Sequence, residues 1–86
     1  MTLEELRTKI DAVDAAILPL FIERLRISES IGAYKKENGL PVRDVAREQE
    51  KLDELCKLVG AEDQQAIRRL FSALMEVSRQ RQEGML

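Results

Sequence analysis

Several charged and polar residues stand where the helical pattern of this sequence calls for apolar ones. Arg24 interrupts a run of apolar residues spaced three and four apart, and Arg7 and Lys35 lie beside that run. Glu48 occupies an inward position between two apolar residues later in the chain. Arg47 flanks Glu48, and Ser78 and Gln82 continue a further apolar stripe nearer the end of the chain. Burying several cations without partners costs a great deal of free energy, so inward-directed basic groups require anions beside them.

A small ligand with carboxylate groups is the best source of that negative charge. Glu48 supplies only one charge, and guanidinium groups bind carboxylates through two parallel hydrogen bonds. Taken singly, each residue also has an ordinary interpretation as a solvated side chain or a surface ion pair. Eight other basic residues are predicted to face solvent. They are Lys9, Lys36, Lys51, Lys57, Arg68, Arg69, Arg79 and Arg81.

Composition excludes several kinds of chemistry. The 86 residues include no His and one Cys, so the chain cannot form an internal disulfide, a Ser–His or a Cys–His pair. A zinc site would need carboxylates alone, and we expect neither metal nor cofactor. An enzyme with this composition must act through binding and electrostatics. The net charge of −2 does not indicate a nucleic-acid partner.

The first residues and the apolar runs of the sequence bear on where in the cell the protein is found. Residues 1–5 lack the basic start and apolar stretch of a signal peptide. No apolar run approaches the roughly 20 residues needed to cross a bilayer, so we expect no membrane association. The unpaired Cys56 fits a reducing compartment, and the sequence therefore predicts a cytoplasmic protein.

Periodicity predicts an all-α fold of one domain over residues 1–86. Thr2 and Glu5 form a capping box at the start of a long first helix, and Gly39 follows its end. Pro19 lies inside this helix and is interpreted as a kink, because no turn-forming residue stands beside it. Asp44 is the predicted N-cap of the second helix. The three helices are expected at about residues 3–38, 44–58 and 63–82.

The apolar faces of the two shorter helices are predicted to turn inward. On the second helix these residues are Val45, Leu52, Leu55 and Cys56. On the third helix they are Ile67, Leu70, Phe71, Leu74 and Met75. Both faces follow the spacing of three and four residues that is typical of a helix packed on one side.

The length of the first helix predicts a homodimer. About 36 residues form a helix about 54 Å long, far longer than a compact domain of this size is wide. Its apolar stripe would be left facing water, so we expect two chains to interlock with their long helices antiparallel. Arg7 and Arg24 lie about 26 Å apart along this helix. If Arg7 is functional, it must therefore reach the site of the other subunit.

These residues, in this order and spacing, are those of a known family. The sequence resembles the all-helical class of chorismate mutases from residue 6 to residue 82. The matching stretches are Leu6-Arg7-x-x-Ile10-Asp11-x-x-Asp14, Glu23-Arg24, Ile31-Gly32-Ala33-Tyr34-Lys35, Pro41-Val42-Arg43-Asp44-Val45-Ala46-Arg47-Glu48 and Ser78-x-x-x-Gln82.

The resemblance implies a reaction and a role for each site residue. The reaction is the intramolecular Claisen rearrangement of chorismate to prephenate, on the route to phenylalanine and tyrosine. Arg7 of the partner chain, Arg24 and Arg47 would hold the two substrate carboxylates, with help from Ser78. Lys35 and Gln82 would donate hydrogen bonds to the ether oxygen. Glu48 would hold the ring hydroxyl, assisted by the backbone at Asp44.

Two other functions are compatible with the pattern. One is a lyase of the same fold that releases pyruvate from isochorismate, although the segment from Asp44 to Glu48 favours the mutase. The other is a non-catalytic helical dimerisation module, in which Arg24, Lys35 and Gln82 could be replaced without loss of stability. Pro19 is unusual for a long helix.

We expect no attached dehydratase, dehydrogenase or regulatory domain after Gln82.

Overall fold

The computed structural model describes residues 1–84 and contains three α-helices joined by two loops. Helix α1 spans Leu3–Glu37, α2 spans Val45–Cys56 and α3 spans Gln64–Glu83. The described residues form no β-strand, which confirms the predicted all-α class. Each helix begins and ends within two residues of its expected bounds.

Local hydrogen bonds define the helix ends. The Thr2 hydroxyl accepts a bond from the Glu5 backbone N–H at 3.1 Å, and the Glu5 carboxylate accepts one from Thr2 N–H at 3.3 Å. Gly39 follows the end of α1 with a φ of 62°, a conformation that favours glycine. Asp44 accepts from the Arg47 backbone N–H at 3.0 Å and caps α2 as predicted. Asp63 makes no such bond at the start of α3.

Pro19 lies within an uninterrupted α1. Proline has no N–H, so the Ala15 carbonyl four residues earlier loses its usual helical donor. The helix continues on both sides of this position, as predicted. Pro19 is therefore not a turn, and the kink expected there stays a prediction.

Helix α3 is the central element of the chain. It packs against α1 and against α2, whereas α1 and α2 do not pack on each other. The buried apolar side chains of the described residues are few, namely Leu25, Leu52, Cys56 and Met75. Two predicted inward residues, Val45 and Leu70, are 53% exposed, so those predictions are wrong for a single chain. Among the helices of residues 1–84, α2 packs only on α3, and α3 packs only on α1 and α2, so the other faces of both helices stay open.

The first half of α1 extends away from the other helices. Every residue from 1 to 20 is exposed, and the longest dimension of the chain is 54 Å. The exposed apolar side chains of this half of α1, each 50–65% accessible, are Leu3, Leu6, Ile10, Val13, Ile17, Leu18 and Leu20. Among the described residues, no helix is long and apolar enough to span a membrane.

Candidate active site

A cavity of about 450 Å³ lies where the second half of α1, the first half of α2 and the last half of α3 face one another. It is lined by seven of the eight predicted site residues. These are Arg24, Lys35, Asp44, Arg47, Glu48, Ser78 and Gln82. Arg7 does not line it and lies on the exposed first half of α1, about 26 Å from Arg24 along the helix.

Hydrogen bonds to two successive turns of α3 hold the Arg24 guanidinium at the cavity wall. Its Nη1 donates to the Leu74 carbonyl oxygen at 3.0 Å and to the Ser78 hydroxyl oxygen. The buried Ser28 hydroxyl lies 2.9 Å from both the Ser78 hydroxyl oxygen and the Arg24 carbonyl oxygen. One arrangement of protons satisfies the whole set: Arg24 donates to Ser78, Ser78 to Ser28, and Ser28 to the Arg24 carbonyl.

The partial burial of Arg24 also affects its pKa. Partial removal from water lowers the pKa of Arg24 below the ordinary arginine value. The side chain still carries its charge at neutral pH, because an arginine pKa starts far above 7. Its recorded partners are neutral oxygens, so the positive charge is oriented without being neutralised.

Lys35 and Gln82 form a second polar group at the other end of the cavity. The Lys35 ammonium donates to the Gln82 amide oxygen at 3.1 Å and to the Val42 carbonyl oxygen. Because the Gln82 oxygen accepts from Lys35, the Gln82 amide nitrogen presents its two N–H groups as donors. The pair therefore offers N–H donors from both α1 and α3.

Close contact between two helix backbones brings this pair together. Gly32 lies one turn before Lys35 on α1 and is buried against Gln82. A Cβ atom at position 32 would be 2.8 Å from Gln82 Cα and 2.9 Å from the Gln82 carbonyl oxygen. Real side chains do not approach a backbone so closely, so this crossing of α1 and α3 requires glycine.

Glu48 is paired with arginines that sequence reasoning did not assign to the site. Arg79 Nη1 lies 2.7 Å from both Glu48 carboxylate oxygens, and Arg43 Nε lies 3.7 Å from one of them. The expectation that Glu48 would balance the charges of inward residues such as Arg24 is therefore wrong. Arg79 was also predicted to face solvent, yet it lines the cavity, as does Lys51.

The missed position carried a signal in the sequence. Met75, Ser78, Arg79 and Gln82 follow the spacing i, i+3, i+4, i+7, which places all four on one face of a helix. Ser78 and Gln82 were assigned to this face, and Arg79 belongs to it by the same count. Lys51 likewise follows Glu48 by three residues and Arg47 by four.

The cavity is positively charged although the chain is not. Five basic and two acidic residues line it, a local charge of +3 in a chain whose net charge is −2. Within residues 1–84, neither Arg24 nor Lys35 has a carboxylate oxygen within 4.0 Å. Two partly buried cations without an acidic partner make the cavity suited to an anion with more than one negative group.

Residues that could ligate a metal do not converge in the described part of the chain. Residues 1–84 contain no cluster of three or more His, Cys, Asp or Glu side chains close enough to hold an ion. Cys56 is buried and unpaired, away from the cavity lining. The groups available for chemistry in the cavity are therefore cations, amides, hydroxyls and two carboxylates.

Comparisons with known proteins agree on one family. The family described as chorismate mutase type II matches residues 6–83. The chain is 37% identical over 83 residues to the bifunctional chorismate mutase/prephenate dehydratase of Escherichia coli strain K12. That match covers 94% of this chain and 22% of the relative, so the chain spans about a fifth of the length of that bifunctional protein.

Two further matches extend over most of both proteins. A chorismate mutase of Methanocaldococcus jannaschii is 32% identical over 77 residues, which is 86% of this chain and 77% of that protein. A solved structure of a conserved hypothetical protein from Pyrococcus furiosus superposes with a TM-score of 0.78 at 36% identity. It covers 95% of this chain and 96% of the other.

Proposed function

Because the chain belongs to the chorismate mutase type II family, we propose that it catalyses the rearrangement of chorismate to prephenate in the biosynthesis of phenylalanine and tyrosine. The observation that carries the proposal is the pair Arg24 and Lys35. Both are partly buried in one cavity and both contact only neutral protein groups among the described residues. Chorismate carries two carboxylates and an ether oxygen, which are the acceptors that such cations lack.

Binding of the two carboxylates is the first contribution to catalysis. Arg24, held by Ser78 and the Leu74 carbonyl, binds one carboxylate with the remaining N–H groups of its guanidinium. Arg47, in the first turn of α2 at the cavity, serves as a further carboxylate ligand. Fixing both carboxylates folds the flexible side chain of the substrate over its ring, which lowers the entropic cost of the cyclic transition state.

Stabilisation of the ether oxygen is the second contribution. This oxygen gains negative charge as its bond to the ring breaks. Lys35 bonds to the Gln82 amide oxygen, and in this proposal the Lys35 ammonium and the Gln82 amide nitrogen both donate hydrogen bonds to the ether oxygen. Since these bonds strengthen as charge develops, they stabilise the transition state more than the bound substrate and so raise kcat.

Glu48 is the acceptor for the ring hydroxyl in this proposal. Its carboxylate lines the cavity and its oxygens retain lone pairs beyond the bonds from Arg79. Asp44 contributes through its backbone, since its side chain is engaged in capping α2. The reaction forms and breaks its bonds within one molecule, so it requires no nucleophile, proton transfer or cofactor.

A homodimer completes the site in this proposal. The exposed apolar stripe on the first half of α1 supports an interface with a second copy. In an antiparallel pair, Arg7 of one chain would reach the cavity of the other and bind a substrate carboxylate there. We place the reaction in the cytoplasm, where the free thiol of Cys56 is stable.

The test is a direct assay of the purified chain with chorismate. We expect chorismate to disappear and prephenate to form well above the uncatalysed rate. Arg24→Met should abolish most of this activity, whereas Arg26→Met, an exposed position of the same helix, should not. Absence of conversion by the unmodified chain, or release of pyruvate from isochorismate at a higher rate, would contradict the proposal.

A further inference from the structure

Arg79 forms the least exposed ion pair among the described residues. The side chains of Arg79 and Glu48 are 22% and 17% exposed, and Arg79 Nη1 is 2.7 Å from both carboxylate oxygens. Other recorded pairs, such as Arg68 with Asp53, lie further out in solvent. Arg79 and Glu48 both line the cavity, on α3 and α2 respectively.

Stability alone is a weak explanation for this pair. Removing two charges from water costs free energy that their mutual attraction often only repays, so partly buried ion pairs add little to folding. What the pair does provide is geometry. One nitrogen at 2.7 Å from both oxygens fixes the position of the Glu48 carboxylate in the cavity, which a glutamate with three rotatable bonds would not otherwise hold.

A Glu48 carboxylate held in one position limits how any ligand in the cavity can bond to it. An ionised carboxylate only accepts hydrogen bonds, and it has about four lone-pair directions, of which Arg79 uses two. The remaining directions are then set by the protein before a ligand arrives. A ligand that presents a hydroxyl donor there gains a bond, while one that presents an acceptor or an apolar group leaves the carboxylate unpaired.

We propose that Arg79 is a positioning residue that acts through Glu48 and makes the cavity select anions bearing a hydroxyl group. The proposal rests on the proposed function, because it assigns the Glu48 carboxylate to the ring hydroxyl of the substrate. Arg79 itself needs no contact with the substrate. Its effect should therefore appear in the discrimination between ligands and in KM more than in kcat.

The experiment compares two probes, chorismate and the analogue that lacks only the ring hydroxyl, through KM where the chain converts the probe and through equilibrium binding where it does not. The chain should bind chorismate more tightly than the analogue. In Arg79→Met this preference should fall about tenfold, the size of one hydrogen bond to a charged group. Arg79→Lys should recover part of the preference, because an ammonium can still donate to Glu48. Arg81→Met removes a surface arginine two residues away and should leave the preference unchanged.

A double substitution tests whether Arg79 acts through Glu48. In a Glu48→Gln background the preference for the hydroxyl is already reduced, so adding Arg79→Met should change it less than twofold. An undiminished tenfold effect in that background would overturn the proposal. So would an equal loss of affinity for both probes in Arg79→Met, which would make Arg79 a direct anion ligand.

The two proposals fail in different ways. A chain that binds both probes but does not convert chorismate overturns the proposed function, and the ratio of the two affinities still decides the role of Arg79. A chain that converts chorismate while Arg79→Met and Arg79→Lys keep the full preference retains the proposed function and loses this one. Arg79→Lys retains a cation, so the comparison survives if Arg79→Met does not fold.

Discussion

The two halves of α1 share one helix and one apolar spacing but have different surroundings. Residues 3–20 are exposed throughout, while the second half contains the buried residues Leu25, Ser28 and Gly32 and packs against α3. In the first half the stripe is mostly apolar. In the second half it is interrupted by Arg24 and followed by Lys35, the two cavity cations that α1 carries.

The contrast separates two kinds of information in an amphipathic pattern. An apolar stripe reports that some surface must cover the helix, but it does not say whether that surface belongs to the same chain. A cation within the stripe reports that the covering surface includes an anion or a ligand, because a buried charge requires a partner. The first half of α1 therefore has the pattern expected of an interface, and the second half has the pattern expected of a binding site.

The largest expected effect is on the binding half. Lys35→Ala should lower kcat by about 10²–10³, the usual cost of losing one donor to a developing negative charge. The free energy of unfolding should change by less than about 1 kcal/mol, because Lys35 has no acidic partner to leave unpaired. Steady-state kinetics and thermal denaturation measure the two quantities. Lys36→Ala, at an exposed neighbouring position, is the control and should keep full activity.

Mixing two inactive variants tests whether the halves of α1 serve different sites. Arg7→Ala and Arg24→Ala should each be nearly inactive. If subunits exchange, half of the dimers are mixed, and each mixed dimer contains one complete site of two, so about a quarter of the activity should return. Activity that stays at the level of the separate variants, despite exchange shown by mass spectrometry, would place Arg7 outside the site.

The pH dependence of a Gln82 variant tests the donor assigned to α3. In Gln82→Glu, the ionised carboxylate can only accept, so activity at neutral pH should fall about a hundredfold. The protonated carboxyl can donate, so activity should rise as the pH falls toward about 4, near the ordinary pKa of glutamate. Gln80→Glu, exposed on the same helix, should follow the profile of the unmodified chain. Parallel profiles for both variants would remove Gln82 from this role.

A charge on the interface half should weaken association. Ile10 is 59% exposed in the single chain, and Ile10→Glu would place a carboxylate in the proposed apolar contact between two copies of α1. The dissociation constant of the dimer should rise about a hundredfold, measured by sedimentation. Leu58→Glu makes the same change at a residue that is 79% exposed outside α1 and should leave the constant unaltered.

The smallest expected effect concerns the contact between helix backbones. Gly32→Ala adds a Cβ 2.8 Å from Gln82 Cα, so α1 and α3 must move apart next to Lys35. We expect kcat to fall about tenfold and the free energy of unfolding to fall by about 1–3 kcal/mol. Ser30→Ala on the exposed side of α1 is the control. Unchanged kinetics in Gly32→Ala would show that the approach of the two backbones does not set the site.

Signals that act over a few residues were read correctly from the sequence. The capping box of Thr2 and Glu5, the Asp44 cap and the positive φ of Gly39 all arise from bonds or sterics within four residues. Such features do not depend on the rest of the fold. The helix faces of Lys35, Ser78 and Gln82 follow from the same short-range count, and seven of the eight predicted site residues line one cavity.

Features that depend on which helix covers which face were harder to predict. Val45 and Leu70 satisfy the inward spacing, yet in the single chain each is 53% exposed. Arg79 is predicted to face solvent because it falls mostly away from the apolar stripe of α3, and its pairing with Glu48 depends on how α2 lies across α3. The close approach at Gly32 likewise depends on the crossing of α1 and α3.

The two serine hydroxyls beside Arg24 affect how much entropy the protein loses when a ligand binds. The Arg24 guanidinium bonds to the Ser78 hydroxyl, Ser78 bonds to the Ser28 hydroxyl, and Ser28 bonds to the Arg24 carbonyl oxygen. This series of bonds begins and ends on Arg24. The side chain is thus preorganised, and little rotational entropy remains to be lost when an anion docks. More of the binding free energy is then available to bend the ligand, because little of it is needed to order the protein.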